Sequence, residues 1–423
     1  MRRALLLAAF AAALWLAPGA LASGWCGSGE TAADRPDIVT GQQVHAVVAV
    51  PSDGADTFAA DANRLADDVA SMTAWWQGQD PTRVPRFDEA TFGAATCLDI
   101  SFVRLPEPTA AYAGVGSEIA FARVESDLSN AALGNAYKKY LVYFDGPSVE
   151  AGLCGTGAGR FDIGPSYAVV WLRGCGGVPT DSIATHELLH ALGALPAGAP
   201  HACPPADGGA AHPCDSTTDV LYPYATPNTP LSQLVLDFDH DDYYAHSGTW
   251  IDIQDSLWLH RLGVAQVPLT VRLHGAGQIS SDLPGLDCAV SCQTLWDPGT
   301  KLILTALPSA SDRFVRWSGA CAGNGGCAVT MGQAVSAAAV FGPLRIRLRV
   351  RTTGKGRVAC TPGCGATVAA GKPLKLRAVA AKGWKFTGWS GGCKGKRVTC
   401  TPATDFALTA RATFRRLGKL RKL

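Results

Sequence analysis

The sequence predicts an α+β domain followed by two small disulfide-bonded all-β repeat domains. Three observations predict it. Strand-like and helix-like segments alternate between Val44 and Leu192. Further on, Cys288, Cys292 and Cys321 recur as Cys360, Cys364 and Cys393, each 72 residues later. Charge divides at the same place. Residues 23–268 hold 11 Lys and Arg against 30 Asp and Glu, a net −19, whereas residues 269–423 hold 24 against 5, a net +19.

Residues 1–22 read as an export signal. Arg2 and Arg3 precede an apolar run from Leu5 to Leu16, and Ala20-Leu21-Ala22 fits a small-residue cleavage site. The run is short for a membrane span, and no later stretch is long and apolar enough to be one. Trp25 before Cys26 does not fit a lipoprotein cleavage box. A released, extracellular protein is therefore expected. Fourteen cysteines in an oxidising compartment read as disulfides rather than as metal thiolates. Proximity pairs Cys154 with Cys175 and Cys203 with Cys214, leaving Cys26 with Cys97, although six cysteines admit other pairings.

Residues 23–268 are long enough for a single core. Val44–Val50 is a strand signal, and Asp61–Trp76 has helical spacing with Leu65, Val69, Met72, Trp75 and Trp76 on or near one face. Strand signals follow at Leu98–Val103, Lys139–Phe144 and Ser166–Leu172, with a helix over Glu118–Ala136. Trp250–Leu259 reads as a packing segment that closes the domain.

The chemistry-bearing stretch is Thr185-His186-Glu187-Leu188-Leu189-His190-Ala191-Leu192-Gly193. His186 and His190 are four residues apart, so a helix sets both imidazoles on one face where they can share a metal. Glu187 stands beside them as a general base. This is the HExxH pattern of zinc hydrolysis, in which the metal polarises a carbonyl and acidifies water. Thr180, Asp181 or Ser182 can cap the helix after Pro179, and Gly193 can end it in a left-handed turn.

Together with Gly193, these residues resemble the metzincin metallopeptidases, whose motif is HExxHxxGxxH. The third histidine of that motif falls at position 196, which is Pro196 here. The resemblance therefore implies His201 as the third zinc ligand after a short insertion, with His212 as the alternative. Asp219-Val220-Leu221-Tyr222-Pro223 resembles the family's Met-turn, with Leu221 in place of methionine. The resemblance implies a zinc endopeptidase acting on protein or peptide substrates, with Glu187 as catalytic base and Tyr222 or Tyr224 as candidate oxyanion donors. It also implies an edge strand, read as 166–172, along which substrate lies extended. Cys26 has a second reading as a latency thiolate on the zinc, as in some matrixin pro-segments. A downstream glutamate ligand is excluded, because no glutamate follows Glu187. Alternating aspartates in Leu236–Tyr244 are candidate calcium ligands, without the glycine and distal glutamate of an EF-hand loop.

The repeats fall at 269–342 and 343–414, with a basic tail at 415–423. Cys327 recurs at Cys400, and Phe314-Val315-Arg316-Trp317-Ser318-Gly319 recurs as Phe386-Thr387-Gly388-Trp389-Ser390-Gly391. Proximity pairs Cys288–Cys292, Cys321–Cys327, Cys360–Cys364 and Cys393–Cys400. The pattern resembles the divergent bacterial repeat modules related to internalin B-type repeats, which implies attachment or spacing rather than chemistry. Trp317 and Trp389 read as core residues, with carbohydrate platforms as the alternative. Arg345-Ile346-Arg347-Leu348-Arg349-Val350-Arg351 places four charges on one strand face, a patch suited to polyanions. Anionic cell-wall polymer or acidic polysaccharide is expected as partner, rather than nucleic acid. The rival to a peptidase is a non-catalytic secreted adhesin on a decayed peptidase scaffold.

Overall fold

Gln43–Val50 is buried from end to end because both faces of this strand are covered by helices. It forms β1 of a computed structural model that describes residues 24–27, 29–159, 161–194, 198–204 and 211–417. The export signal, Pro196 and residues 418–423 of the basic tail lie outside the described residues. The chain divides into two units between Val264 and Ala265, four residues before the boundary expected from the sequence.

In the first unit β1 is followed by α1 (Phe58–Gln79), β2 (Arg83–Pro85), β3 (Glu89–Phe92), β4 (Ala95–Leu98) and β5 (Ile100–Arg104). Then come α2 (Ser117–Asn130), β6 (Lys138–Phe144), β7 (Gly155–Ala158), β8 (Ser166–Trp171), α3 (Thr180–Leu192) and β9 (Leu259–Arg261). The main sheet runs β5-β1-β6-β8-β7. Its first four strands are parallel and β7 is antiparallel at the edge. Alternation along each strand sorts side chains between two cores. Val44, Val48, Leu141, Tyr143 and Val170 face one cluster with α1 and α3. Val47, Val142, Phe144, Val169 and Trp171 face the other with α2. Of the segment expected to close the domain as a packing helix or strand, Ile253, Trp258 and Leu259 are buried but Ile251 and Leu257 are exposed, and its only helix is a 3₁₀ turn ahead of β9.

One polar centre is buried with these cores. Lys138 Nζ lies 2.6–2.8 Å from carboxylate oxygens of Asp34, Asp37 and Asp88, and Asp88 also meets His45 Nδ1 at 2.7 Å. Three carboxylates around one ammonium hold Lys138 charged, its pKa raised despite burial.

The second unit is all strand. Its first half holds β10 (Val267–His274), β11 (Gly277–Ser281), β12 (Asp287–Cys288), β13 (Cys292–Trp296), β14 (Lys301–Pro308), β15 (Asp312–Gly319), β16 (Cys327–Thr330) and β17 (Val335–Pro343). Its second half holds β18 (Arg345–Thr353), β19 (Gly356–Thr361), β20 (Thr367–Ala369), β21 (Lys375–Ala380), β22 (Trp384–Gly391), β23 (Thr399–Cys400) and β24 (Leu408–Arg416). The two halves repeat one plan. Sheet order β13-β10-β17-β15 matches β20-β18-β24-β22, and β12-β11-β14-β16 answers to β19-β21-β23. A β-bulge recurs between Phe314 and Arg316 and between Phe386 and Gly388. The second module extends to Arg416, so Arg415 and Arg416 belong to β24 rather than to a tail.

All seven disulfides have the pairing expected from proximity. Cys26 is bonded to Cys97, which removes the latency-thiolate reading. The chain as a whole is mostly β. The two tryptophans are core residues: Trp317 is 2% exposed and Trp389 6%. Each indole N–H donates to a backbone carbonyl, at Gly325 and Arg397. Trp389→Ala is expected to destabilise the second unit by about 3–5 kcal/mol, the usual cost of emptying a buried tryptophan site. Denaturant unfolding of the full chain measures it.

Candidate metal centre and active site

The sequence of α3 fixes where its histidines point. Ile183, Leu188, Leu189, Ala191 and Leu192 are buried against the sheet and α1, which turns the opposite face towards a cleft. Asp181 accepts from Ser182 N–H and from Ser71 Oγ–H within the first turn. Gly193 ends the helix in the left-handed region at φ 92°, and Ala194 N–H reaches back to the Leu189 carbonyl.

His186 and His190 bring their Nε2 atoms to 3.1 Å. The third imidazole is His212, with Nε2 3.2 Å from both. The expectation of His201 is therefore corrected. His201 and His212 flank one disulfide-stapled hairpin, in which Cys203 N–H donates to His212 O and Cys214 N–H to His201 O, with Cys203 bonded to Cys214. That ladder delivers His212 to α3 and leaves His201 beside Asp241 and Asp242.

The donor chemistry fits a metal. His186 Nδ1 lies 2.8 Å from the Val220 carbonyl, which only accepts, so Nδ1 carries the proton and Nε2 a lone pair. Tetrahedral zinc with bonds of about 2.0–2.1 Å needs nitrogens about 3.3–3.4 Å apart. The triangle of 3.1–3.2 Å is close to that. Burial lowers the His186 pKa to about 4 and His190 well below its usual value, so both rings are neutral. The His186–Val220 bond rests on a turn, Asp219–Tyr222, closed by Tyr222 N–H to Asp219 O. Leu221 is fully buried there, in the core cluster that also holds Leu188 and Leu189 of α3. Asp219 holds the turn by accepting from Leu221 N–H, Phe238 N–H and Tyr243 O–H.

Glu187 is 6% exposed and lines the cleft. Burial pushes its carboxyl up to about 8, opposed by a hydrogen bond from the Gly157 backbone. The residues that sequence reasoning missed are the glycines of β7 and Gly159 directly after it. A Cβ at Gly155 would stand 2.4 Å from Glu187 Oε1, one at Gly157 2.5 Å from Glu187 O, and one at Gly159 2.2 Å from Ala191 O. Only glycine lets this strand run so close to α3. β7, not β8, is the outer strand of the sheet, because β8 is paired on both sides. The glycine run beside a candidate metal helix was the available signal.

The cleft has a volume of about 640 Å³ and takes in the histidine triangle, Glu187, β7, Tyr222 and Tyr224. Its acidic lining residues are Glu187 and Asp219, the second already engaged by the Leu221 and Phe238 N–H groups.

Comparisons with known proteins bear on the second unit. No curated protein matches this chain. Wild-type OgpA from Akkermansia muciniphila is similar at 12% identity in two crystal forms. These matches cover 92% and 93% of this chain and 99% of that one, with TM-scores of 0.28 and 0.24. The major pilin protein (T-13) from Streptococcus pyogenes serotype GAS131465 is similar at 8% identity over 36% of this chain and 97% of that one, with a TM-score of 0.14. TM-scores this low assign no fold. Residues 275–343, which hold β11–β17, and residues 346–416, which hold β18–β24 from Ile346 on, match the family model of the divergent InlB B-repeat domain.

Proposed function

We propose that the first unit is a zinc-dependent peptidase, exported from the cell, and that the repeats attach it to an anionic surface polymer. One observation carries the enzymatic reading. Three imidazole nitrogens converge within 3.2 Å of one another beside a buried glutamate at the floor of an open cleft. The HExxHxxG resemblance and the turn at Asp219–Tyr222 support it.

His186, His190 and His212 would hold the ion at the cleft that all three line. When bound, zinc supplies Lewis acidity and lowers the pKa of water. Beside a cation held by the three histidines, the buried Glu187 carboxyl would be drawn to its ionised form, in which Glu187 would take a proton from the attacking water and pass it to the leaving amine. The edge of β7 offers backbone groups to an extended peptide, by addition of a strand. Tyr222 and Tyr224 line the cleft as candidate donors to a developing oxyanion. A chelator is expected to abolish hydrolysis of a mixed peptide substrate, and added zinc to restore it. Hydrolysis that survives full removal of metal would refute the reading.

Attachment rests on a second observation. Arg345, Arg347, Arg349 and Arg351 are all exposed on β18, and in-register neighbours extend the patch. Arg351 pairs with Arg411 of β24, and Arg415 pairs with Lys385 of β22. The first module is an internal control. Gly275 and Gly354 hold equivalent places against Phe341 and Phe414. Counted back from them, Arg347 and Arg349 stand where the first module has Pro268 and Thr270. Alternate residues on a strand are about 6.6–6.8 Å apart, a spacing that suits serial phosphates or carboxylates on a polymer. The full chain is expected to bind an anionic wall polymer and to release it between about 0.1 and 1 M salt, as the Debye length shrinks from about 10 to 3 Å. Replacing the four β18 arginines with threonine should remove this binding. Binding retained in that variant would refute the assignment.

A further inference from the structure

The residue displaced from the first centre points to a second one. His201 Nδ1 lies 3.3 Å from Asp242 Oδ2 and 3.5 Å from Asp241 Oδ1. With an oxygen of Asp215, these four donor atoms lie within 4.8 Å of one another. They come from three separate segments of chain.

Two features distinguish this cluster from a solvated acidic loop. Asp242 is fully buried, and while its Oδ1 accepts from His201 N–H at 2.8 Å, its Oδ2 is buried without a hydrogen-bond partner. Asp241 Oδ1 is likewise buried without one. Carboxylate oxygens buried without a hydrogen bond, with only the His201 imidazole 3.3–3.5 Å away, are costly unless a cation meets them. The protein's other acidic cluster shows the contrast. Around Asp34, Asp37 and Asp88 the ammonium of Lys138 fills the centre at 2.6–2.8 Å. Around His201 there is no such residue to draw on nearby in the chain, because Gly174–His260 contains neither Lys nor Arg. A protonated His201 would leave three carboxylates against one positive charge.

We propose that His201, Asp215, Asp241 and Asp242 form a second site for a divalent metal, with zinc as the fitting ion. One imidazole and three carboxylates make a four-donor N/O set that suits zinc, whereas calcium takes more ligands and all of them oxygen. The role is bracing. The ion ties the Cys203–Cys214 hairpin to the turn in which Asp237 accepts from the N–H groups of Asp242, Tyr243 and Tyr244. Tyr243 in turn donates to Asp219, the residue that holds the turn under His186. The site stands whether or not the histidine triangle binds metal.

The test is metal content of the purified full chain after equilibration with zinc and removal of free ion. Two ions per chain are expected in the wild type. Asp215→Asn/Asp241→Asn should retain one, and so should His212→Ala, with different ions lost. The zinc-induced rise in melting temperature should persist in His212→Ala and shrink in the double variant. If the wild type holds one ion, or none, and the double variant matches it in content and melting shift, the second site does not exist. If the wild type holds one ion that the double variant loses and His212→Ala keeps, the second site stands and the peptidase reading fails. Calcium bound at these four residues in preference to zinc would overturn the choice of ion.

Discussion

Glu187→Ala is expected to lower peptide hydrolysis by about 10²–10⁴-fold, the range supplied by a positioned general acid–base, while leaving fold and metal content unchanged. The size of the effect follows from the cleft. Glu187 is buried beside the histidine triangle, and the other acidic residue of the lining, Asp219, is committed to Leu221, Phe238 and Tyr243. Among the described residues of the lining, no second carboxylate stands ready to take the proton. The substitution leaves the Ile183–Leu192 apolar face of α3 intact, because Glu187 contributes no part of it. Rates are compared with metal content and melting temperature on the same preparations. Wild-type hydrolysis in a folded, metal-loaded Glu187→Ala protein would dispose of the mechanism.

The second large effect separates two histidines that flank one disulfide. His212→Ala removes one of three ligand nitrogens and is expected to weaken metal binding by more than the ~10–100-fold seen when only an outer partner is lost. Hydrolysis should fall with it at any fixed zinc concentration. His201→Ala leaves all three nitrogens of the triangle in place, so hydrolysis should persist at saturating zinc. A competing chelator titration gives both affinities. The reverse ranking would restore His201 as the third ligand and refute the hairpin geometry described above.

The parts of the candidate site that were legible from sequence are those set by local helix geometry. His186, Glu187 and His190 follow from a spacing of four on a helix, and Gly193 from the left-handed turn that ends it. The third imidazole depends on a hairpin, where separation along the chain says nothing about which end turns inward. In the structure the end that turns inward carries His212, whose Nε2 meets those of His186 and His190, and that contact is tertiary structure. The edge strand was missed for a related reason. Gly155-Thr156-Gly157-Ala158 has one β-branched residue, Thr156, and no apolar alternation, because contact with Glu187 and His190 requires glycine at positions 155 and 157. The second unit was the more readable. Its bonded cysteines are four to seven residues apart in sequence, so proximity sufficed to pair them. Its tryptophans recur with the cysteines because both belong to one packed plan.

The most direct test of the central claim is the anomalous difference map at the zinc edge from crystals of the full disulfide-bonded chain grown with zinc. A peak bounded by Nε2 of His186, His190 and His212, about 2.0–2.1 Å from each, is the result this account predicts. Folded, zinc-equilibrated protein with no peak between those three nitrogens would contradict it, and the chain would then be read as an adhesin carried on its repeats.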